Sequence, residues 1–167
     1  MIDARLDLKR RERLGMVEAV WGEHKTAEQI ITILERFSAA DELGLVTRVS
    51  PEKADAVLAA LPAVKAHAHA RCLTLGELPA PPPGPPPVAV LSGGSSDRSV
   101  VAEATLALSC HGIAVDPLMD VGVAGLHRLL DQLPRLESAV VLIACAGMEG
   151  ALPTVLAGLV PQPIIGV

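Results

Sequence analysis

Apolar and polar residues alternate in blocks along residues 88–167. Short apolar runs, which suit buried strands, are separated by longer stretches with apolar positions at helical spacing. This order of strands and helices predicts a sheet of parallel strands joined by right-handed crossovers. The predicted strands are Val88 to Leu91, Ile113 to Val115, Ser138 to Ala144 and Ile164 to Val167, and the predicted helices are Arg98 to Cys110, Val123 to Leu133 and Thr154 to Val160.

Residues 1–78 have a pattern that predicts a smaller α/β unit. The run Lys25-Thr-Ala-Glu28 has the form of a capping box, with Thr26 as the N-cap of a helix that continues through Phe37. A second helix is predicted after Ser50, because a serine cap followed by proline is typical of a helix start. Strands are predicted within Gly15 to Trp21, at Leu43 to Val49 and at Arg71 to Leu75.

The segment 79–87 contains seven prolines and one glycine and separates the two patterns. Such a run favours an extended polyproline II conformation and joins neither a central strand nor a helix interior. The sequence therefore predicts an N-terminal α/β unit over 1–78, a semi-rigid linker over 79–87 and a parallel-sheet domain over 88–167.

The composition supports an α/β fold and narrows the function. Half of the 167 residues are hydrophobic, yet there is one Trp, one Phe and no Tyr, so the core has to consist of aliphatic side chains. The net charge of -5, with basic residues clustered only near the N-terminus, argues against a nucleic-acid partner. No apolar run is long enough to span a membrane, and no signal-peptide core is present, so a cytoplasmic location without a membrane partner is expected.

Three loops with polar or glycine-rich sequence follow predicted strands of the second unit. They are Ser92-Gly-Gly-Ser-Ser-Asp97, Asp120-Val-Gly-Val-Ala-Gly-Leu-His-Arg128 and Cys145-Ala-Gly-Met-Glu-Gly-Ala-Leu-Pro153. Because the carboxyl ends of parallel strands meet at one edge of a sheet, where open α/β sheets bind their ligands, these loops are expected to form a site. Glycines let the backbone approach a phosphate, and Glu149 is a carboxylate placed beside glycines in the third loop. An ordinary capped turn explains the first loop equally well.

Other chemistry-bearing residues have structural explanations. The basic run Lys9 to Arg13 is typical of a solvated face, although one arginine could reach a bound anion. His67 and His69 would share one face of a strand, but no third metal ligand is near them. Trp21 is expected to be a packing residue rather than a stacking platform, and Cys72 and Cys145 are expected to be buried thiols. The three cysteines fit a reducing compartment.

The three loops resemble those of the family that makes pyridinium-3,5-biscarboxylic acid mononucleotide for the nickel-pincer cofactor of lactate racemase. The resemblance extends upstream through Arg13 to Glu18, Gly22 to Gln29, Thr47 to Pro51 and Gly76 to Pro79. The C-terminal domain of that family is similar to the phosphoribosylaminoimidazole carboxylases of purine synthesis. The resemblance thus implies a three-layer domain of the flavodoxin or carboxylase type. In the purine branch the third loop is expected to carry a histidine where this chain has Glu149, which favours the nickel-cofactor branch.

The resemblance implies carboxylation of the pyridinium ring of nicotinic acid adenine dinucleotide, with carbon dioxide or bicarbonate as co-substrate. Cleavage of the phosphoanhydride bond then releases AMP. In the family a cysteine thiolate adds to the ring, and a base later removes the ring proton. No firmly bound cofactor is implied, but a divalent cation such as Mg²⁺ could assist the cleavage, with Asp120 as a candidate ligand. Self-association into a closed homo-oligomer is also implied.

The family's roles can be assigned to matching positions of this chain. Glu149 would be the catalytic base, and His127 a second catalytic group. His127 and Arg128 would hold a carboxylate, carbon dioxide or phosphoanhydride oxygens. The remaining candidate substrate-binding residues are Gly93, Gly94, Ser95, Ser96, Asp97, Gly147 and Met148.

One feature of the family has no counterpart in residues 1–167. The family continues through a further loop and a segment with the nucleophilic cysteine, so this domain is expected to be incomplete. Two alternatives to the nickel-cofactor enzyme therefore stay open. The chain could be a nucleotide-binding or assembly module without catalysis, or an enzyme of the purine carboxylase type.

Overall fold

The computed structural model describes residues 5–167, which form two compact units that meet in the sequence at Pro79 and Ala80. The first unit contains a mixed sheet in the order β1-β2-β4-β3, in which β1 and β2 are parallel and the other pairs antiparallel. Its described strands are β1 (Ala19–Trp21), β2 (Gly44–Thr47), β3 (Lys65–His67) and β4 (Cys72–Leu75), and its described helices are α1 (Arg10–Leu14), α2 (Ala27–Ala39) and α3 (Pro51–Ala60).

The helix starts of the first unit follow the cap residues of the sequence. The Thr26 hydroxyl accepts a hydrogen bond from the backbone N–H of Gln29, whose side chain accepts one from the N–H of Thr26. The capping box therefore closes on Gln29 and not on Glu28, because the third residue of the helix is the one that reaches back. Ser50 caps α3 in the predicted way, with Pro51 in its first turn. The apolar stripe of α2 is buried against the sheet.

The second unit is built on a four-stranded parallel sheet in the order β6-β5-β7-β8. This confirms the α/β fold class and the parallel strands that the sequence predicted. The strands are β5 (Val88–Ser92), β6 (Val115–Leu118), β7 (Val141–Cys145) and β8 (Ile164–Gly166), and the helices are α4 (Arg98–Ser109), α5 (Leu126–Leu130), α6 (Leu133–Leu136) and α7 (Ala151–Ala157).

Helices cover both faces of this sheet, so the unit has three layers. On one face, side chains of β5 and β7 such as Leu91 and Leu142 pack with buried leucines of α5, α6 and α7. On the other face, Val90 and Cys145 pack against Val101 of α4. Burial on both faces explains why β5 is apolar from Val88 to Leu91.

Several predicted boundaries were wrong, and each has a local cause. The single helix predicted over Val123 to Leu133 is a 3₁₀ turn followed by α5 and α6. Pro134 lies in the first turn of α6, and a proline there cannot continue α5 because it lacks an N–H donor and its ring would clash with the preceding turn. Strand β6 lies further along than predicted and contains Pro117, which is tolerated because β6 is at the edge of the sheet. Helix α7, predicted after Glu149 and through Val160, begins at Ala151 and ends at Ala157, between Gly150 and Gly158.

Among the described residues, no helix is both long enough and apolar enough to cross a lipid bilayer.

Candidate functional site

The site is organised by Ser92, the last residue of β5. Its side chain is buried, its Oγ accepts a hydrogen bond from the backbone N–H of Asp120 at 2.7 Å, and its carbonyl accepts one from Val121 at 2.9 Å. These bonds hold the start of the second loop against the end of β5. No separate role was predicted for Ser92 from the sequence. Its position at the end of an apolar strand could have indicated this role, because a buried hydroxyl needs a hydrogen-bond partner.

The first and second loops touch through glycine backbones. A Cβ atom on Gly122 would lie 2.2 Å from the carbonyl oxygen of Gly93, so no other residue fits there without a shift of the backbone. The N–H of Gly93 in turn donates to the carbonyl of Cys145 at 2.8 Å. The glycines that the sequence suggested for phosphate approach thus also let the three strand ends close on each other.

Asp97 connects the first and third loops. Its Oδ2 accepts a hydrogen bond from the N–H of Gly94 at 2.9 Å, and its Oδ1 accepts one from the N–H of Gly147 at 3.3 Å. Both carboxylate oxygens are therefore engaged by backbone amides of the loops. This arrangement makes Asp97 a residue that sets the spacing of the two loops.

These loops enclose a cleft of about 140 Å³. The volume is well below the roughly 300–1,000 Å³ of pockets that bury a drug-sized ligand, so the cleft has room for a single ring or a small anionic group. Seven of the candidate site residues line the cleft: Gly93, Gly94, Ser96, Asp97, Gly147, Met148 and Glu149. Ser95 is exposed in the same loop but does not line the cleft.

Glu149 has a carboxylate that is free of protein partners. It is exposed in the turn before α7, and no described residue forms a hydrogen bond or ion pair with it. The turn ends at Gly150, whose φ of +65° is in the left-handed region that favours glycine. Met148 beside it is 93% exposed.

Asp120, His127 and Arg128 lie outside this cleft. The Nη1 atom of Arg128 donates to Oδ2 of Asp120 at 2.5 Å, and both residues line a neighbouring open groove that also includes Arg135. His127 is exposed on α5 and lines neither cavity. The structure therefore places this second group of candidate residues at the same sheet edge but does not bring it into contact with Glu149.

The residues around Asp120 do not fit a divalent cation. Its carboxylate is occupied by Arg128, and across residues 5–167 no three His, Cys, Asp or Glu side chains come close enough to hold a metal ion. We therefore derive no step through a metal at this position.

The cysteines of the described chain are structural. Cys145 is 1% exposed, and burial, with a smaller contribution from the negative charge of Asp97, raises the pKa of its thiol to about 11. Burial raises the pKa of Cys110 to about 11 as well. Cys72 is buried and donates to the carbonyl of Ala70. Such thiols are poor nucleophiles near neutral pH, because little thiolate is present.

Several of the basic and histidine residues of the first unit that the sequence singled out are paired with other side chains, and the two histidines do not form a pair. Arg13 pairs with Asp7, and Arg11 pairs with Glu42. The His67 ring is within hydrogen-bond distance of the Thr74 hydroxyl, and burial lowers its pKa, whereas His69 is exposed in the following 3₁₀ turn. Trp21, predicted to be a packing residue, is the last residue of β1; its side chain is half exposed and its ring meets the His24 ring edge-on.

Comparison with known proteins covers both units. Residues 1–77 match the family described as LarB/PurE-like N-terminal domain, and residues 87–167 match the AIR carboxylase family. An uncharacterized protein of Methanocaldococcus jannaschii is 32% identical over 170 residues, covering 98% of this chain and 66% of its own length. The chain thus spans slightly less than two thirds of that relative. The chain therefore carries a LarB/PurE-like N-terminal domain followed by an AIR carboxylase domain, which makes it a LarB-like protein of the carboxylase type.

Proposed function

We propose that the cleft of the second unit binds the pyridinium end of nicotinic acid adenine dinucleotide and takes part in carboxylation of its ring. The observation that carries this proposal is that Glu149 and the glycine-rich loop line one cleft at the carboxyl edge of a parallel sheet. The product would be pyridinium-3,5-biscarboxylic acid mononucleotide, formed together with AMP for nickel-pincer cofactor synthesis. The family match supports the carboxylase part of this proposal.

The size of the cleft determines how the substrate would lie. A volume of about 140 Å³ can receive the pyridinium ring but not the rest of the dinucleotide. The ribose and the phosphates would then follow the open side of the cleft, past Gly94 and Ser96. The Ser96 hydroxyl and the loop amides can donate hydrogen bonds to phosphate oxygens, which is how glycine-rich loops hold phosphates.

The chemistry requires a base close to the ring. A cationic pyridinium is electron-poor and does not attack carbon dioxide, so a thiolate first adds to the ring and makes carbon 5 nucleophilic. Carbon 5 then forms a bond to carbon dioxide, and the same carbon loses its proton while the electron pair of that C–H bond restores the ring and expels the thiolate. Glu149 would accept this proton, because its carboxylate lines the cleft and has no competing protein partner.

The thiolate is not assigned to any described residue. Cys72, Cys110 and Cys145 are buried in the two cores and do not line the cleft. The proposal therefore gives this chain the tasks of binding the ring and accepting the proton. The nucleophile has to be supplied from outside residues 5–167.

Arg128 and His127 would serve parts of the substrate outside the cleft. Arg128 lies in the neighbouring groove, where its second guanidinium edge could hold a phosphate oxygen while Asp120 fixes the first. Attack of a water molecule on the phosphoanhydride at this groove would break its P–O bond and release AMP away from the ring.

Binding can be tested on the 167-residue chain by titration calorimetry with nicotinic acid adenine dinucleotide. Ser96→Asp would place a negative charge at the proposed phosphate position, and we expect an affinity at least about tenfold lower. Ser138→Asp introduces the same charge on an exposed serine that does not line the cleft. Equal affinities for the two variants would contradict the proposed orientation.

Proton removal can be tested by mass analysis of the product formed from the dinucleotide and labelled bicarbonate. In a preparation that supplies the thiolate, Glu149→Gln should abolish carboxylation and leave dinucleotide binding unchanged, whereas Glu137→Gln, a change at an exposed carboxylate elsewhere in the unit, should have no effect. Full turnover by Glu149→Gln would exclude it as the base. The 167-residue chain alone should bind the substrate without carboxylating it.

A second candidate function is nucleotide binding without catalysis. The burial of all three cysteines favours it, since no described thiol can reach a ligand in the cleft. The two functions differ in the mass experiment. If a dicarboxylated product forms and depends on Glu149, the chain acts as an enzyme. If the dinucleotide binds but no product forms, whichever source of thiolate is added, the chain acts as a binding module.

A further inference from the structure

A second cluster of ligand-binding side chains lies in the first unit, at the edge of the sheet where β1 and β2 end and β4 begins. Trp21 pairs in register with Thr47, and the N–H of Gly22 donates to the Thr47 carbonyl at 2.8 Å. The N–H of Val49 donates to the Arg71 carbonyl at 2.8 Å. Because adjacent strands lie about 4.8 Å apart, the backbones that carry Trp21, Arg48 and Arg71 lie within roughly 10 Å of each other.

Trp21 presents a fixed aromatic surface at this edge. Its side chain is 51% exposed, and its Nε1–H donates to a carboxylate oxygen of Glu23 at 3.1 Å. The His24 ring meets the indole edge-on, with centroids 4.9 Å apart. An indole held by a hydrogen bond while half exposed is suited to stacking with a planar ligand, because little side-chain entropy remains to be lost.

Two arginines at this edge, Arg48 and Arg71, have no acidic partner among the described residues. The guanidinium of Arg48 lies over the indole, 6.0 Å from the ring centroid, and no described carboxylate is within ion-pair distance of Arg48 or Arg71. Lys53 adds a third positive charge, since its Nζ donates to the carbonyls of Gly22 and Glu23. This edge therefore combines unneutralised cations with an aromatic face.

The backbone at both arginines is strained. Arg48 has a φ of +53° and Arg71 one of +52°, which are left-handed values that cost free energy for a residue with a long side chain. Asparagine or glycine would adopt this conformation with less strain. Strain of this kind concentrates at functional sites, so its occurrence at two adjacent arginines is a reason to seek a ligand here.

We propose that this edge of the first unit binds a nucleotide, with the base stacked on Trp21 and the phosphate held by Arg48 and Arg71. Aromatic stacking together with bidentate guanidinium contacts matches a nucleoside monophosphate better than a simple anion, which would not use the indole. A nucleic-acid strand is a weaker fit, because three cations at one edge do not form a track along a polymer backbone. This site consists of residues of the first unit alone, and the proposal does not depend on the reaction proposed for the second unit.

Trp21 itself provides the measurement. It is the one tryptophan of the chain, and there is no tyrosine, so fluorescence excited at the red edge of indole absorption reports on this edge alone. Titration with AMP should give a saturable change in emission. Adenosine and inorganic phosphate, which each supply half of the proposed contacts, should bind at least about tenfold more weakly than AMP.

The variants Arg48→Asn and Arg71→Asn remove the guanidinium groups and keep a residue that tolerates the left-handed backbone. Each should weaken AMP binding at least about tenfold, with an unchanged circular dichroism spectrum as the check on folding. Arg11→Asn is the matched control. Arg11 is an exposed arginine of the same unit and lines a groove with Leu75 and Gly76, at the opposite end of β4.

Four results would overturn the proposal. The first is the absence of a saturable emission change with AMP, and the second is wild-type affinity in both Arg48→Asn and Arg71→Asn. The third is loss of the signal in Arg128→Gln, which would assign the emission change to binding at the second unit. Preference for single-stranded RNA over AMP would also reject the mononucleotide as the ligand.

Discussion

Two carboxylates of the second unit show how local contacts separate structural from chemical roles. Asp97 uses both oxygens to accept hydrogen bonds from the amides of Gly94 and Gly147. Glu149, two residues after Gly147 in the third loop, has no such partner among the described residues and remains available to a ligand. Their side chains carry the same functional group, so composition alone cannot distinguish them. The difference comes from which backbone amides the fold brings within reach.

The three cysteines should be unreactive in the folded chain. Because burial raises the pKa of Cys145 to about 11, the thiolate near pH 8 is about one thousandth of the total. We expect an Ellman reaction near pH 8 to detect less than one thiol in the native protein and all three in guanidinium. Rapid reaction at Cys145, assigned by its loss in Cys145→Ala, would contradict the burial described above.

The same pKa shift has a consequence for stability. The proton is bound more tightly by Cys145 in the folded chain than in the unfolded chain, where the thiol ionises at its ordinary pKa near 9. This contribution to the free energy of unfolding is therefore fully present below about pH 9 and lost as the pH rises towards 11. Urea denaturation of wild type and Cys145→Ala across this range should show a smaller decline in the variant. Parallel declines would argue against a raised pKa.

At the level of loops and strands, Gly122 is the position where a small change should have the largest effect. A methyl group there would lie 2.2 Å from the Gly93 carbonyl oxygen, so Gly122→Ala forces two loops apart. Overpacking of this kind costs about 1–3 kcal/mol, and the cleft should widen enough to weaken dinucleotide binding. The free energy of unfolding in urea is the measurement.

Gly94→Ala is the control for this prediction. The nearest atom to its added Cβ would be the Ser96 hydroxyl at 3.8 Å, and the φ of Gly94 is -145°, which any residue adopts. Its effect on stability should stay within about 0.5 kcal/mol. If both alanines were tolerated equally, the close contact between the first and second loops would not exist in solution.

The sequence predicted helices and strands well where a single local feature, such as an apolar run or a cap residue, determined them. Apolar runs located β5 and β7, and the caps at Thr26 and Ser50 located α2 and α3. Strand β3 was missed because Lys65-Ala-His67 has no apolar alternation and is held by its pairing with β4. The Arg128–Asp120 ion pair was missed for a similar reason, since the fold of the seven residues between them determines whether the two side chains meet.

For the whole molecule, the distribution of charge limits how the proposed sites can attract ligands. Between residues 80 and 167 the cationic side chains of Lys or Arg type are Arg98, Arg128 and Arg135, and acidic residues outnumber them. Two of these arginines are paired with Asp120 and Asp116. Binding of an anionic dinucleotide to the second unit therefore has to depend on loop amides and hydroxyls at short range. The first unit has more unpaired positive charge, which supports placing a nucleotide phosphate there as well.

The edge strand β8 leads to a prediction about assembly. One side of β8 pairs with β7, and its other side has no described partner, while Ile165 and Val167 are 52% and 60% exposed. An unpaired strand edge with exposed apolar side chains favours association. Light scattering after gel filtration should therefore give a mass of at least twice the 17.3 kDa of one chain.

Ile165→Lys should shift the equilibrium to monomer, because a charge on an edge strand opposes pairing, whereas Thr154→Lys on the exposed side of α7 should not. A monomeric wild type would show that this edge does not drive assembly.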